Sequence, residues 1–380
     1  LLLLKDTIIL VLCLACRTPS ADKTQAPASP QASDSVWALI PFMKVDSVNP
    51  VLRPGEGKFL CPIRKQKIGW EEKDVFNPAV AVRGDTVYML YRAQDSIGKP
   101  EGTSRIGLAT STDGLHFTTF PQPVLYPGND DEKKYEWQGG CEDPRVTKSA
   151  DGRYLMTYTA YDGISARLMI ASSLDLFHWK KWGPAFAKAF HGKYLNKWSK
   201  SGSIISTYSK GEILATKING KYWMYWGDQN IYLASSDDLI HWEPLEMLKD
   251  EKPPIALKGQ AIQMPDLKII IPTRPEKFDD DLVESGPPAM LTKNGILLMY
   301  NSRDSQGTYA AGQVLLDSGD PTKILRRMDS FFLRPDRSYE ITGQVNNVCF
   351  IEGLAGFRNR WYLYYGTADS KIAVAVKMQK

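Results

Sequence analysis

Five stretches of the chain alternate apolar and polar residues, end in Tyr, and reach an Asp a few residues later. They are Tyr88-Met-Leu-Tyr91-Arg-Ala-Gln-Asp95, Tyr154-Leu-Met-Thr-Tyr158-Thr-Ala-Tyr-Asp162, Tyr222-Trp-Met-Tyr225-Trp-Gly-Asp228, Leu297-Leu-Met-Tyr300-Asn-Ser-Arg-Asp304 and Tyr362-Leu-Tyr-Tyr365-Gly-Thr-Ala-Asp369. Alternation of this kind reads as strands. The Asp residues lie 67, 66, 76 and 65 positions apart, the mark of one repeated unit. A turn signal precedes each stretch: Gly84-Asp85, Asp151-Gly152, Asn219-Gly220, Asn294-Gly295 and Arg358-Asn359-Arg360. Each sits between apolar runs, as a β-hairpin requires. Three repeats carry a further matching strand and turn, beginning at Ala109, Ala171 and Ala234. Long helical periodicity is absent. Strand, hairpin, strand, strand, five times over, predicts an all-β fold: a five-bladed β-propeller over residues 39–380. Two separate β-sandwiches are the runner-up, which a single period fits less well. The last repeat ends in the apolar strand Lys371-Ile-Ala-Val-Ala-Val376. The segment near 36–60 is therefore expected to close the ring, since open terminal units would leave unpaired edges.

Ahead of the repeats the pattern changes. Lys5 is followed by an apolar run from Thr7 to Ala15, too short for a stable membrane span. It ends in Leu14-Ala15-Cys16, which resembles a bacterial lipobox, with Cys13 where Leu is usual. Two readings stand: a lipoprotein signal with Cys16 acylated, or an ordinary signal peptide with an incidental Cys. Either makes residues 1–16 an export signal. Residues 17–38, rich in Pro, Ala and Ser, are then a disordered linker. The expected location is the periplasm or surface of a bacterium, with membrane contact only through a lipid on Cys16.

Composition narrows the function. Forty-seven Lys plus Arg against 43 Asp plus Glu give a net charge of +4 with no dense basic run, which argues against nucleic-acid binding. Four scattered His, and Cys61, Cys141 and Cys349 without metal-like spacing, predict no metal site, no cofactor and buried free thiols. Most aromatics fall at strand alternation and read as core, although a few near a channel could stack on sugars.

In a propeller the innermost strands line a central channel. Reading back from each hairpin turn places their starts at Phe76-Asn77-Pro78-Ala79, Gly139-Gly-Cys-Glu142-Asp143-Pro144-Arg145, Gly211-Glu212, Glu284-Ser-Gly-Pro-Pro288 and Glu352-Gly353-Leu354. Four of the five carry a carboxylate, so acids from distant parts of the chain are expected to face one pocket. Glycoside cleavage needs that layout: one acid to protonate the leaving oxygen and one base to activate water. A plainer reading stands beside it, in which Asp162 and Asp228 only cap turns while Glu212 and Glu352 are solvated rim charges. The Gly-Gly-Cys-Glu-Asp-Pro-Arg block is too specialised for a turn alone. Its Gly residues admit a close ligand, and Arg145 can hold a carboxylate or a sugar hydroxyl.

These blocks, with Tyr91-Arg-Ala-Gln-Asp95, Ser104-Arg-Ile-Gly-Leu-Ala109, Lys217-Ile-Asn-Gly-Lys-Tyr222 and Tyr365-Gly-Thr-Ala-Asp369, resemble glycoside hydrolase family 130 from about residue 75 onward. The resemblance implies a five-bladed propeller acting on β-mannosides, as an inverting phosphorylase or as a hydrolase of β-1,2 bonds. It implies Asp143 as general acid, and Asn77, Arg92, Asp95 and Asp369 on the mannosyl unit. Arg105, inside a matched motif, and Arg145 join the expected substrate-binding set. Three departures point away from phosphate. Glu284 stands near Gly-Pro-Pro where a phosphorylase has a basic residue, Tyr300-Asn301-Ser302 replaces a Tyr-His-Gly motif, and Ser199-Lys200-Ser201-Gly202 replaces an Arg-Asn-Ala-Ala block, although Lys200 and Lys217 stay positive. The expected function is an exported, metal-independent inverting β-mannosidase, probed by β-mannooligosaccharides or mannan-derived glycans. Glu284 is its expected base, with Asp304 an assisting carboxylate. A β-mannoside phosphorylase using Lys200, Lys217 and Arg303, and a non-catalytic glycan-binding lipoprotein, remain as alternatives.

Overall fold

The repeated Tyr explains the architecture. In the computed structural model, which describes residues 32–99, 101–251 and 264–379, each of these Tyr side chains is fully buried on the second strand of a four-stranded antiparallel meander. A buried phenol must place its hydroxyl. Tyr91 donates to Glu71 (2.7 Å), Tyr158 to Glu136 (2.8 Å), Tyr300 to Asp279 (2.8 Å) and Tyr365 to Glu340 (2.9 Å). Each acid comes from the segment entering its own unit. In the third unit Tyr225 donates to the Pro321 carbonyl instead (2.8 Å).

Among the described residues, five meanders follow one another. The first comprises Asp74–Arg83, Thr86–Gln94, Ser104–Ser111 and Thr118–Thr119. Gly140–Lys148, Tyr154–Tyr161, Ala166–Ser173 and Lys180–Pro184 form the second. The third has Ser203–Ile204, Lys221–Trp226, Ile231–Ser236 and Glu243–Pro244. In the fourth, an inner strand split into Leu282–Ser285 and Met290–Thr292 pairs with Gly295–Arg303, followed by Tyr309–Leu316 and Ile324–Arg327. Cys349–Phe357, Arg360–Thr367 and Lys371–Met378 open the fifth. The predicted turn signals all fall between the first and second strands. The inner strand Asp74–Arg83 packs between Gly140–Lys148 and Cys349–Phe357, so the inner strands ring an axis: a β-propeller.

Closure comes from the N-terminal side, as expected. Met43–Lys44 pairs with Val376 and Ala375 as the outer strand of the fifth unit, and Leu52 bridges to Ile372. Lys44 Nζ reaches the fully buried Glu340 at 2.7 Å, joining this strand to the Tyr365 hydroxyl network. The linker boundary needs correcting. Ala32–Val36 form a 3₁₀ turn, and Trp37 and Phe42 are buried beside Leu297, Leu363 and Ala373, so the packed body begins before residue 39. The export signal and Cys16 lie outside the described residues. Cys61, Cys141 and Cys349 are free and buried.

A second correction concerns the third inner strand, expected at Gly211-Glu212. That segment belongs to an inserted hairpin, Ser206–Ser209 with Glu212–Ala215, wedged between the second and fourth units. Glu212 pairs there with Lys148, at the opposite end of the second inner strand from Asp143, which makes it a rim charge. The true inner strand is Ser203–Ile204, so the residues leading into it, Lys200 and Ser201, occupy the level expected for 211–212.

Candidate active site

At one end of the channel the inner strands break their regular pairing. The register slips at Asn77 in the first unit, at Asp143-Pro144 in the second and at Glu352 in the fifth. In the fourth, Gly286-Pro287-Pro288 interrupts the strand, because Pro has no N–H to give a ladder. A bulge re-aims the side chain it carries. Asn77 and Asp143 have φ of 48° and 47°, a left-handed conformation that costs roughly 1–2 kcal/mol for most residues and least for Asn and Asp. Four neighbouring strands thus turn a polar side chain inward at one level.

The result is a cup of five carboxyls and three cations. Asp143, 2% exposed, accepts from Asn77 Nδ2 (2.9 Å) and Arg92 Nη1 (3.1 Å), and Lys200 Nζ lies 3.7 Å from its other oxygen. Arg92 forks to Glu142 (2.7 Å) while its guanidinium lies over the Phe76 ring. Glu284, 4% exposed, accepts from the Ser201 hydroxyl and has Lys200 Nζ at 4.0 Å. Lys200 thus stands between Asp143 and Glu284. The two oxygens it approaches can be no further apart than those two distances together, about 7.7 Å. Glu352 is fully buried; Arg145 Nη2 lies 3.0 Å away, and neither carboxyl oxygen has a well-formed hydrogen bond. Asp369, partly exposed, completes the group beside Arg92.

Burial and charge pull these groups in opposite directions. Burial raises the Asp143 carboxyl, but Arg92, Lys200, Asn77 and Arg145 together outweigh it and hold it below the usual range. For Glu284 burial wins over Lys200 and the Ser201 hydrogen bond, with Asp228 adding to the rise. Glu142 is likewise raised by burial against Arg92. Glu352 is pushed well up by burial, and Asp369 is pushed to about 7 by burial with Asp143 nearby, against Arg92. Burial alone would weaken the Lys200 ammonium, yet Glu284, Asp143, Asp228 and Glu142 together keep it charged.

Of the residues picked from the sequence, Asn77, Arg92, Asp143, Glu284 and Asp369 come together here. Four others are corrected. Asp95 is fully buried, accepts from the Gly98 and Thr103 amides (2.7 and 2.9 Å) and pairs with Arg105 at 2.8 Å, so both serve to anchor Gly98 and Thr103. Arg105 otherwise packs against Phe59 and Cys61. Asp304 accepts from the Gln306 and Thr308 amides and caps its turn. Arg145 does reach the cup, but its guanidinium is spent on the Gly286, Ser285 and Asp143 carbonyls (2.9, 2.7 and 3.1 Å), which makes it a strut. Asp162 is a turn cap, as its plainer reading had it. Glu352, read as a rim charge on that same view, is instead wholly buried. Lys200, read from the sequence only for the phosphorylase alternative, stands in the cup with Ser201, as does Glu142 of the Gly-Gly-Cys-Glu-Asp-Pro-Arg block. Among the described residues no cluster of His, Cys, Asp and Glu is arranged to hold a metal ion.

Residues 49–380 match the family model for glycoside hydrolase family 130, described as β-1,4-mannooligosaccharide phosphorylase. The chain belongs to glycoside hydrolase family 130. It is 32% identical over 343 residues to a 1,2-β-oligomannan phosphorylase of Thermoanaerobacter sp., covering 88% of this chain and 96% of that protein. It also resembles, at 46% identity and a TM-score of 0.84, a glycosyl hydrolase from Bacteroides ovatus, over 90% of this chain and 95% of that one. A third similarity, at 42% identity and TM-score 0.84 over 90% and 95%, is to a structure reported to show that this family of mannoside phosphorylases contains glycoside hydrolases that target β-1,2 mannosidic linkages in Candida mannan. Family 130 is a family of carbohydrate-active enzymes, and the carboxylate cup is the part of this member suited to such chemistry.

Proposed function

We propose that this family 130 member cleaves β-mannosides, of the β-1,2 type, by inverting hydrolysis, with Asp143 as the acid and Glu284 as the base. One observation supports hydrolysis above the rest: five carboxyls face three cations, and Glu284 lies beside the gap a nucleophile must enter. Such a cup disfavours an entering phosphate dianion and suits a neutral water. The separation bound of about 7.7 Å between Asp143 and Glu284 oxygens accommodates the lower part of the roughly 6.5–9.5 Å range of inverting enzymes. Burial and Asp228 raise Glu284, and Lys200, Arg145 and the Ser201 hydroxyl oppose that rise, the direction a base needs. Arg92, Lys200, Asn77 and Arg145 favour an ionised Asp143 before a sugar arrives. A sugar seated between it and Lys200 would separate the charges and raise its proton affinity where the leaving oxygen needs a proton.

Phosphorolysis is the second reading. The names of the curated relatives favour it, as does the family description, and Lys200 supplies one cation at the gap. Incubation with β-1,2-mannobiose, with and without phosphate, separates the two. Hydrolysis gives mannose alone and no acceleration by phosphate; mannose 1-phosphate would overturn it. The proposal also places the enzyme beyond the cytoplasmic membrane, on the strength of the 1–16 run. Labelled palmitate should enter the wild type and not Cys16→Ser if the lipid reading holds.

A further inference from the structure

The outermost strand of the second unit, Lys180–Pro184, is interrupted by a bulge. Ala171 pairs with Lys181 and Ile170 with Gly183, so Trp182 is the extra residue, left outside the ladder. A bulge re-aims the side chain it carries. This one presents a Trp at 38% exposure, its indole N–H fixed on the Ser172 hydroxyl at 2.8 Å. Lys180 lies over the ring, a surface contact that a ligand can displace. Around the adjoining turn Trp179 is partly exposed, and the Leu176 carbonyl holds its indole N–H at 2.9 Å. The same motif position in the third unit is Trp242. There the chain that leaves the second unit closes down: the Trp242 amide donates to the Ala185 carbonyl at 3.0 Å and the residue is 2% exposed. Beside Trp179 the corresponding chain, from Phe120 to Glu132, lines a cleft of about 830 Å³ instead. A second hollow, of about 520 Å³, shares Trp179 with the cleft and reaches Trp182. Both lie away from the cup. Ser173, where the turn begins, pairs with Tyr154, the partner of Lys148, whereas Gly140, beside the Glu142-Asp143 bulge, pairs with Tyr161 at the other end of the unit.

We propose that this surface is a second carbohydrate site, which holds a neutral glycan chain of the β-mannan class on the outside of the propeller while the cup works on it. The inference rests on the β-mannoside reading proposed above. Aromatic rings accept the C–H faces of a pyranose, and rings already fixed through their indole N–H groups lose little freedom when they do. Charge selects the class of ligand. Asp130, Asp131 and Glu132 face Lys181 in the cleft, and Asp175 stands with Arg153 and Lys180 in the hollow, so neither sign builds a field that would favour an ion. Glu132 Oε2 is buried without a donor, which a sugar hydroxyl would supply. A second copy of the chain is the rival occupant, but two Lys, a bulge and Pro184 on this strand all oppose edge-to-edge pairing.

The test is electrophoresis through gels containing soluble β-1,2-mannan, in an Asp143→Asn background so that the polymer persists, beside kcat/KM on β-1,2-mannobiose in the otherwise unaltered enzyme. Trp182→Ala should weaken retardation by the mannan at least about fivefold and leave kcat/KM on the disaccharide within about twofold. Trp182→Phe, which keeps a ring, should recover part of the retardation. Trp179→Ala should act like Trp182→Ala, and whichever variant melts at the wild-type temperature carries the test. Unchanged retardation in a folded variant, an equal loss on the disaccharide, or a wild type that cleaves the disaccharide yet is not retarded would overturn the site alone. A dimer in gel filtration that Trp182→Ala converts to a monomer would overturn it in favour of a second copy. A wild type inert on the disaccharide would overturn the β-mannoside reading and the mannan site with it.

Discussion

Lys200 is the group on which the electrostatics of the cup turn, and its replacement makes a prediction whose sign does not depend on which carboxyl is acid or base. Its ammonium lies 3.7 Å from Asp143 and 4.0 Å from Glu284 and favours the ionised form of both. At about 4 Å such an interaction is worth about 1 kcal/mol in water and about 4 kcal/mol at an effective dielectric constant of about 20. At 1.36 kcal/mol per unit, loss of the charge raises each carboxyl by roughly one to three pH units. Activity on the acid side fails when the base is protonated, so that limb moves to higher pH. The alkaline side fails when the acid has lost its proton, so that limb moves up as well. In Lys200→Met the whole bell of kcat/KM against pH should therefore rise by at least about one unit, whereas Lys200→Arg should stay near the wild type. Thermal unfolding run alongside confirms that both variants are folded. A Met variant whose profile is lower but unshifted, or shifted down, would refute the argument and leave Lys200 a packing residue.

Asp143→Asn should stay folded and lose at least roughly 100-fold in turnover, the scale of general acid catalysis; near-normal turnover removes it from the mechanism. Glu284→Gln should abolish mannose release, a result read directly by sugar analysis. In Gly366→Ala the added methyl would overlap Asn77 Oδ1 and crowd its amide, so kcat should fall with the displaced Asn77 as well as the melting temperature. Lys44→Met strips the ring-closing strand of its partner for the fully buried Glu340; denaturant unfolding should show a loss approaching about 3 kcal/mol, partly recovered by adding Glu340→Gln.

The fold was legible because it repeats. A Tyr at one place in every unit reports a buried phenol, and the turn residues mark each hairpin, so the all-β propeller and the closure from the N-terminal side followed from spacing alone. The Asp of the same motif was harder. Asp95, Asp162 and Asp304 each open a turn long enough to present amides two to four residues on, and their carboxylates are consumed there. Asp369 opens a tighter turn, with Ala368 and Asp369 both at positive φ, and its side chain is left to face Arg92. The third repeat is one residue short, which frees Asp228 for Trp198. Identical spacing thus hides two roles that only turn length separates. Lys200 was read only as a phosphate-site residue of the phosphorylase alternative, because the inserted 206–215 hairpin imitates an inner strand and drew the expected start to Glu212. Arg145 looked like a ligand because its partners, the Ser285 and Gly286 carbonyls, lie some 140 residues away in the chain.

The cup's proton content follows from pairing. Three cations cannot neutralise five carboxyls, four of them buried, and an unpaired buried charge is strongly disfavoured. Arg92 serves Glu142 and Asp143, Lys200 is divided between Asp143 and Glu284, and Arg145 reaches Glu352 with most of its donors already used. Burial accordingly pushes Glu352, deep in the channel, well above the usual carboxylate range and Asp369, at its mouth, to about 7. Asp369 is the member of the pair that a ligand can reach. If it accepts sugar hydroxyls as a carboxylate, binding must drive off its proton, so affinity should weaken as pH falls through about 7. Glu352, sealed from ligand, should keep its proton through the cycle. An incoming phosphate would add negative charge to a cup already relying on protons to limit its own, whereas a water molecule adds none. That asymmetry, rather than the presence or absence of any single cation, is the physical ground on which we propose hydrolysis.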